Sequence, residues 1–378
     1  MNTEQLVSRV LDPDWLSDQA GRSVRAARLR IKPRTSLVVG LDDAAGHPVG
    51  WLRFLWPISH NKAARTSQEA GELGVETSEH ELGELLVQTG PLPADPKLLT
   101  RIAAATASGK LGGWEASQVL RYNPLRRVVV RDGMRVVRVA TSRDRGVAFD
   151  RFMAGVVETP RRLDDGTLDG VSVHAFAGDL DLADLLDGNP PGVDCDPVHG
   201  ASDPVCAAGA MLARLHAAEV PGDLARSLAA RTADPVAQGL AHAALLDELA
   251  PDLAERMRRV AAELPGVASA MPVLSHGDLS PDQVLTTHDG DTVWLTDFDR
   301  ACLAPRAVDL GSFLAVLDDA AFLNGYRDGG GQVPPEDQLR RAVAASLILR
   351  AADPLRRACR DWKQQVSANL DRIREVAT

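Results

Sequence analysis

The 378-residue sequence has no Cys-x-x-Cys pair; its four cysteines, Cys195, Cys206, Cys302 and Cys359, stand singly. That argues against a zinc ribbon or a thioredoxin-like redox site. A His-Glu-x-x-His pair is missing as well, which argues against a zinc hydrolase. The opening MNTEQLVSRVLDPDW has no apolar signal core, and no run of 18 apolar residues occurs anywhere. Neither a secretory leader nor a transmembrane helix is therefore expected, and the reading is a reduced, cytoplasmic enzyme with no membrane partner. Positive charge is not in excess either: the net charge is −10, which argues against a nucleic-acid partner.

What is present is ordinary globular material, 45% hydrophobic and 25% charged. The length suggests two or three domains. The acid is uneven, with eleven Asp or Glu between Glu158 and Asp203 against two Arg. Such a stretch fits either a solvated surface or the steering of a cationic substrate.

Residues 23–57 alternate as strands, a helical pattern covers Lys62–Leu73, and ELLVQTG (84–90) reads as a strand before the proline-rich break PLPADP (91–96). A second strand set spans 117–124, 126–131 and 134–141, with Asp132-Gly133 as a hairpin turn. A helical segment (146–155) and the strand VSVHAF (171–176) follow. LRIKPRTSLVV (29–39) and LRYNPLRRVVV (120–130) share five residues at matched places, and each leads to a strand with a central arginine, Arg53 or Arg138. A duplicated β-unit and two convergent hairpins both account for this. From about residue 177 the pattern is helical, interrupted by a β-island at 283–299 with Asp289-Gly290 at its turn. The expected fold class is α+β: a front part (1–96), a β-rich part (97–176) and a helical back (177–378).

The island carries acids in a telling order. His276-Gly277-Asp278 is followed by Gln283 five residues after the Asp and by Asp297-Phe298-Asp299 from nineteen residues after it. Phosphoryl transfer needs a carboxylate to orient an acceptor hydroxyl and take its proton, a role that suits Asp278. It also needs Mg²⁺, which prefers hard oxygens; Asp297 and the Gln283 side-chain carbonyl supply two. His276 reads as a loop scaffold. The tryptophans at 51, 56, 114, 294 and 362 read mainly as core, and His174, His199, His216 and His288 show no ligand spacing.

Through HGDLSPDQVL (276–285), TDFDRACLAPRAVDLGSFLA (296–315), GAMLARLHAAEVPG (209–222) and FLNGYRDGGG (322–331), the chain resembles the aminoglycoside phosphotransferase-like family. The resemblance implies a two-lobed protein-kinase-like fold, ATP or GTP as phosphate donor, Mg²⁺ as cofactor, and a small hydroxylated molecule as acceptor. It implies Asp278 as base, Asp297 as metal ligand, and Asp309 as a brace of the catalytic loop. Family members usually carry Asn at the place of Gln283. The maltokinase and glucosamine-kinase branch is similar in using Gln there and in carrying an N-terminal cap, which residues 1–96 would supply. The front lobe departs from the pattern. Arg138 stands where a strand lysine is expected, Asp150 is the nearest acid to pair with it, and YNPLRR (122–127) replaces the glycine-rich loop. Strand 171–176 would be the hinge, with Ala175 and Phe176 offering backbone groups to the nucleotide base. The missing lysine and helix glutamate keep open a kinase-like binding or regulatory module. Among acceptors, the acidic stretch points to an aminoglycoside or amino sugar, and the cap with Gln283 to a sugar.

Overall fold

A computed structural model describes residues 1–114, 117–186, 203–228, 234–264, 266 and 271–377. Two short helices, α1 (Thr3–Val10) and α2 (Pro13–Ala20), open the chain. Asn2 caps α1 by accepting from the Gln5 N–H at 2.8 Å, and the Gln5 side chain accepts from the Asn2 N–H. There follow β1 (Arg25–Lys32), β2 (Ser36–Asp42), β3 (Pro48–Leu55), α3 (Asn61–Glu72), β4 (Ser78–Leu82) and β5 (Leu85–Pro91). These strands form one antiparallel sheet ordered β1-β2-β3-β5-β4.

After α4 (Leu99–Ala107) come β6 (Gln118–Asn123), β7 (Arg127–Asp132), β8 (Arg135–Ala140), α5 (Val147–Ala154) and β9 (Val171–Ala175), forming a second sheet ordered β6-β7-β8-β9. The likeness between the two strand sets extends to their registers. Lys32 opposes Ser36 around the first turn, and Asn123 opposes Arg127 around the second. Val38 opposes Arg53 as Val129 opposes Arg138. Even an unusual backbone is repeated, with positive φ at Arg34 (51°) and at Leu125 (61°). In both sets a helix follows the third strand, whose free edge then pairs with β5 or with β9. The two sheets thus share a β-β-β-α-β plan, to which the first adds β4.

The segment between them is tucked inward. Leu92, Ala94 and Asp95 are buried. The Asp95 carboxylate accepts from the Tyr122 hydroxyl (2.7 Å) and the Leu125 N–H (2.8 Å), which fixes the β6–β7 turn. Burial pushes this carboxyl up, against the pull of those hydrogen bonds.

The remainder is helical: β10 (Leu180–Asp181), α6 (Leu182–Leu186), α7 (Pro204–Ala217), α8 (Gly222–Leu228), α9 (Pro235–Leu246) and α10 (Pro251–Glu263). Then come β11 (Val273–Ser275), β12 (Val284–Thr286), β13 (Val293–Leu295), β14 (Cys302–Ala304), α11 (Ala307–Leu314), α12 (Ala320–Asp328), α13 (Glu336–Arg350), α14 (Asp353–Arg356) and α15 (Trp362–Ala377). The Ala-rich run at 224–264 is divided because Pro235 and Pro251 each begin a helix rather than continue one. The β12–β13 hairpin is the expected island. β10 joins its edge, and β11 pairs separately with β14.

Apolar packing ties the two ends of the sequence together. Leu37, Val39, Phe54 and Val87 of the first sheet share one core with Leu246, Met257, Ile348 and Leu370 of the helices. A second core joins α5, α7, α11 and α12 beneath the β11–β14 region, and a third lies under the second sheet. Trp51, Trp56 and Trp362 are buried.

Candidate active site

The segment from β11 to β14 holds every acid of the sequence motif. Directly after β11, Gly277 has φ 83°, and a Cβ there would come within 2.2 Å of the Arg300 carbonyl oxygen. Only glycine makes this turn without displacing backbone. Asp309, wholly buried on α11, accepts from the N–H groups of His276 and Gly277, both at 2.7 Å. It also meets the His216 ring at 3.1 Å, whose other nitrogen meets the Tyr326 hydroxyl at 2.8 Å. Burial alone would raise the Asp309 carboxyl, but the His216 hydrogen bond and charge, with the loop N–H groups, hold it below the usual range. His276 donates from Nε2 to the Thr296 carbonyl at 2.8 Å and lies against the Phe298 ring. Both side chains act as scaffold.

Asp278 stands at the tip of this loop, with about a quarter of its side chain exposed. Arg350 contacts Oδ1 at 3.0 Å and Arg300 contacts Oδ2 at 3.3 Å. Ser312 accepts from Arg350 at 2.9 Å and orients it.

Asp297 follows β13 in the left-handed region (φ 64°), a cost that a non-glycine residue bears only where surroundings enforce it. Its two oxygens lie 2.9 and 2.7 Å from Arg127 Nη1. Burial pushes this carboxyl up, and Arg127 overrides it to leave the carboxyl below the usual range. Asp299 bonds Arg138, yet burial and the neighbouring Asp297 charge leave its carboxyl raised. Asp282 accepts from Arg121 at 2.8 Å. Three arginines of the second sheet therefore reach three acids of the motif segment.

The hairpin register sets Gln283 against Thr296, one residue before Asp297, through the Thr296 N–H to Gln283 carbonyl bond of 3.0 Å. The Gln283 side chain is buried, and its Oε1 has no hydrogen-bond partner among the described residues. An orphaned buried carbonyl, on the residue across the hairpin from the one before Asp297, is the kind of oxygen a hard cation takes. Among the described residues no group of three or more His, Cys, Asp or Glu could hold a metal. Mg²⁺ keeps waters and substrate phosphates as most of its ligands, so one or two protein oxygens suffice.

A cleft of about 310 Å³ opens between the second sheet and this hairpin. Val129, Val136, Phe149 and Leu285 are among its apolar lining, and Arg127, Arg138, Asp297 and Asp299 are among its charged groups. Ala175 and Phe176 also line it, but their N–H groups are engaged, with the Arg161 carbonyl (2.8 Å) and the Met134 carbonyl (2.9 Å). The pairing of Arg138 with Asp150 is corrected. Asp150 bonds Arg162 at 2.6 Å, within a cluster that also includes Asp144 and Asp164, and Arg138 turns to Asp299 instead.

Of the eight described acids between 158 and 203, four are ion-paired. Glu158 pairs with Arg214, Asp164 with Arg162, Asp165 with Lys110 and Asp169 with Arg101. Asp187, Asp194 and Asp196, like Cys195 and His199, lie outside the described residues.

Sequence reasoning missed Arg121, Arg127, Arg300 and Arg350. Two of them flank or end YNPLRR, where attention fell on the absent glycines rather than on the arginines present.

Among known proteins, the model of the phosphotransferase enzyme family (APH) matches residues 106–344. A choline/ethanolamine kinase family protein from Mesorhizobium loti shares the fold, with a TM-score of 0.50 and 17% identity over 74% of this chain and 94% of that one. The GDP and kanamycin complex of APH(2")-IIia gives a TM-score of 0.49 and 16% identity, over 74% and 98% of the two chains. No curated protein matches the sequence. The fold is thus two-lobed and kinase-like, with an additional β-rich sheet at its N-terminus.

Proposed function

Because the chain belongs to the phosphotransferase enzyme family, we propose that it transfers the γ-phosphate of ATP or GTP to a hydroxyl of a small molecule, with Asp278 as the base. One observation carries the residue assignment. The His276 ring, on the loop of Asp278, is hydrogen-bonded to the Thr296 carbonyl, one residue before Asp297. The base loop and the metal hairpin are thereby held as one body.

In the reaction R–OH + ATP → R–O–phosphate + ADP + H⁺, Asp278 orients the acceptor hydroxyl and takes its proton as the new O–P bond forms. Arg300 and Arg350 hold the Asp278 carboxylate in position from two sides. Mg²⁺ bound by Asp297 and Gln283 would neutralise the polyphosphate charge. Arg127 and Arg138 exchange carboxylate partners for phosphate oxygens when the nucleotide enters. Arginine does this by fork geometry where lysine would act as a point charge. The apolar walls around Val129 and Phe149 accept the base. We further read residues 1–96, 97–176 and 177–378 as cap, N-lobe and C-lobe of this kinase.

Asp278→Asn should lower kcat by about 10²- to 10⁴-fold while leaving Mg²⁺–ATP thermal stabilisation in place. Turnover equal to the parent would remove Asp278 from the mechanism. Stabilisation by Mg²⁺–ATP without turnover on any acceptor would instead fit a nucleotide-binding module.

A further inference from the structure

A second cavity, about 1050 Å³, is lined by residues of both sheets, of helices α13 and α14, and by Arg300. Its lining is strongly basic: ten Arg or Lys side chains against two acids, Glu69 and Asp353. Both acids are already matched, by Arg65 (2.7 Å) and Arg356 (3.2 Å). Among the described residues no ion pair within 4.0 Å forms at Arg28, Arg30, Arg53, Lys97 or Arg126. Arg53, buried at 4% exposure, is held by neutral partners only: Gln88 Oε1 at 2.8 Å, the Lys62 carbonyl at 2.8 Å and Thr66 Oγ1 at 3.0 Å.

Like charges gathered in a partly desolvated space are unfavourable unless something anionic offsets them. The cost is visible in the arginines. Burial and then repulsion from neighbouring guanidinium groups depress Arg28, Arg30 and Arg126, and burial brings Arg53 down to about 10. The whole chain is acidic, at −10, so this concentration of positive charge is local. It also has a fixed relation to the chemistry, because Arg300 lines the cavity and lies 3.3 Å from Asp278.

The register equivalence adds a second argument. Arg53 holds in the first sheet the place that Arg138 holds in the second. Arg138 faces the cleft assigned to the nucleotide, and Arg53 faces the basic cavity. The same strand position of the repeated plan thus presents a guanidinium to each of two spaces.

We propose that this cavity binds the acceptor and that the acceptor is a hydroxyl compound bearing a phosphate group, seated by the cavity's arginines with its free hydroxyl turned toward Asp278. The proposal rests on the phosphotransferase reading. The phosphate oxygens match the arginine fork geometrically and in charge. An amine-bearing acceptor would meet only repulsion here.

The test is a steady-state comparison of glucose, glucosamine, glucuronate and glucose 6-phosphate as probe acceptors with Mg²⁺–ATP, on the full chain. Glucose 6-phosphate should have the highest kcat/KM, by about tenfold or more over glucose, with glucosamine lowest. Its KM should rise steeply with salt. Arg30→Gln and Arg126→Gln should each raise the KM for the phosphorylated probe about tenfold with little effect on kcat, while the Mg²⁺–ATP thermal shift persists. Among the described residues the Arg126 side chain makes no ion pair, so its variant removes no such contact from the fold and folds even if the other does not. Preference for glucose or glucosamine, or an unchanged KM in both variants, would overturn the phosphate assignment and leave the kinase reading standing. Preference for glucuronate would overturn it in favour of a carboxylate-bearing acceptor. Absence of Mg²⁺–ATP stabilisation together with absence of all turnover would instead defeat the kinase reading itself.

Discussion

Asp309 carries the loop of Asp278 on its two oxygens, and its depressed pKa has a direct consequence for stability. The folded value lies below the unfolded one, so the carboxylate stabilises the fold above the ordinary aspartate range. That contribution is lost as pH falls through the depressed value. Asp309→Asn should therefore cost about 3 kcal/mol in urea denaturation at pH 7, and progressively less as pH falls below the ordinary aspartate range. Gly277→Ala addresses the same loop by sterics. With φ 83° and the Arg300 carbonyl in the way, it should cost about 1–3 kcal/mol and impair turnover beyond the loss of folded protein. Thermal melts read beside kcat separate the two effects. At this scale the motif acids could be read as a set because phosphoryl transfer restricts their type and spacing, and they fall in the one segment from β11 to β14. Arg350 was not, since it lies 72 residues from the Asp278 that it contacts.

The β6–β7 hairpin brings Arg121 and Arg127 to the acids, and its turn is anchored from outside by Asp95. Tyr122→Phe deletes one of the donors to that buried carboxylate. It should lower stability by about 1–3 kcal/mol, read as a fall in urea midpoint without a change in slope. Among the elements, alternation and turn residues revealed most strands of both sheets, as well as α3 and α5. β10, β11 and β14 escaped because two or three residues carry no readable period. α1 and α2 escaped because eight residues give barely two turns of pattern. The repeat was audible in LRIKP and LRYNP, but only the paired registers and the two positive-φ turns give it structural form.

Over the whole molecule, the proline-rich break at 91–96 reads as a boundary, and across it Leu37 and Phe54 pack in one core with Met257 and Leu370. Polar contacts add to these links: Lys363 meets Glu4 at 2.7 Å, and buried Thr3 donates to Glu248 at 3.0 Å. Deleting residues 1–91 should expose that apolar helix face and give an aggregating product, and calorimetry of the intact chain should show these parts melting together. Sequence cannot display such a core, because each half supplies only one of its faces.

This shared core also sets a timetable for biosynthesis. At about 5–20 residues per second, the partners of the first sheet in α13 and α15 are made roughly a quarter of a minute to a minute after β5. Until α9 and α10 emerge, the nascent sheet has only α1 and α2 against its oily side, which makes it a natural client for ribosome-associated chaperones.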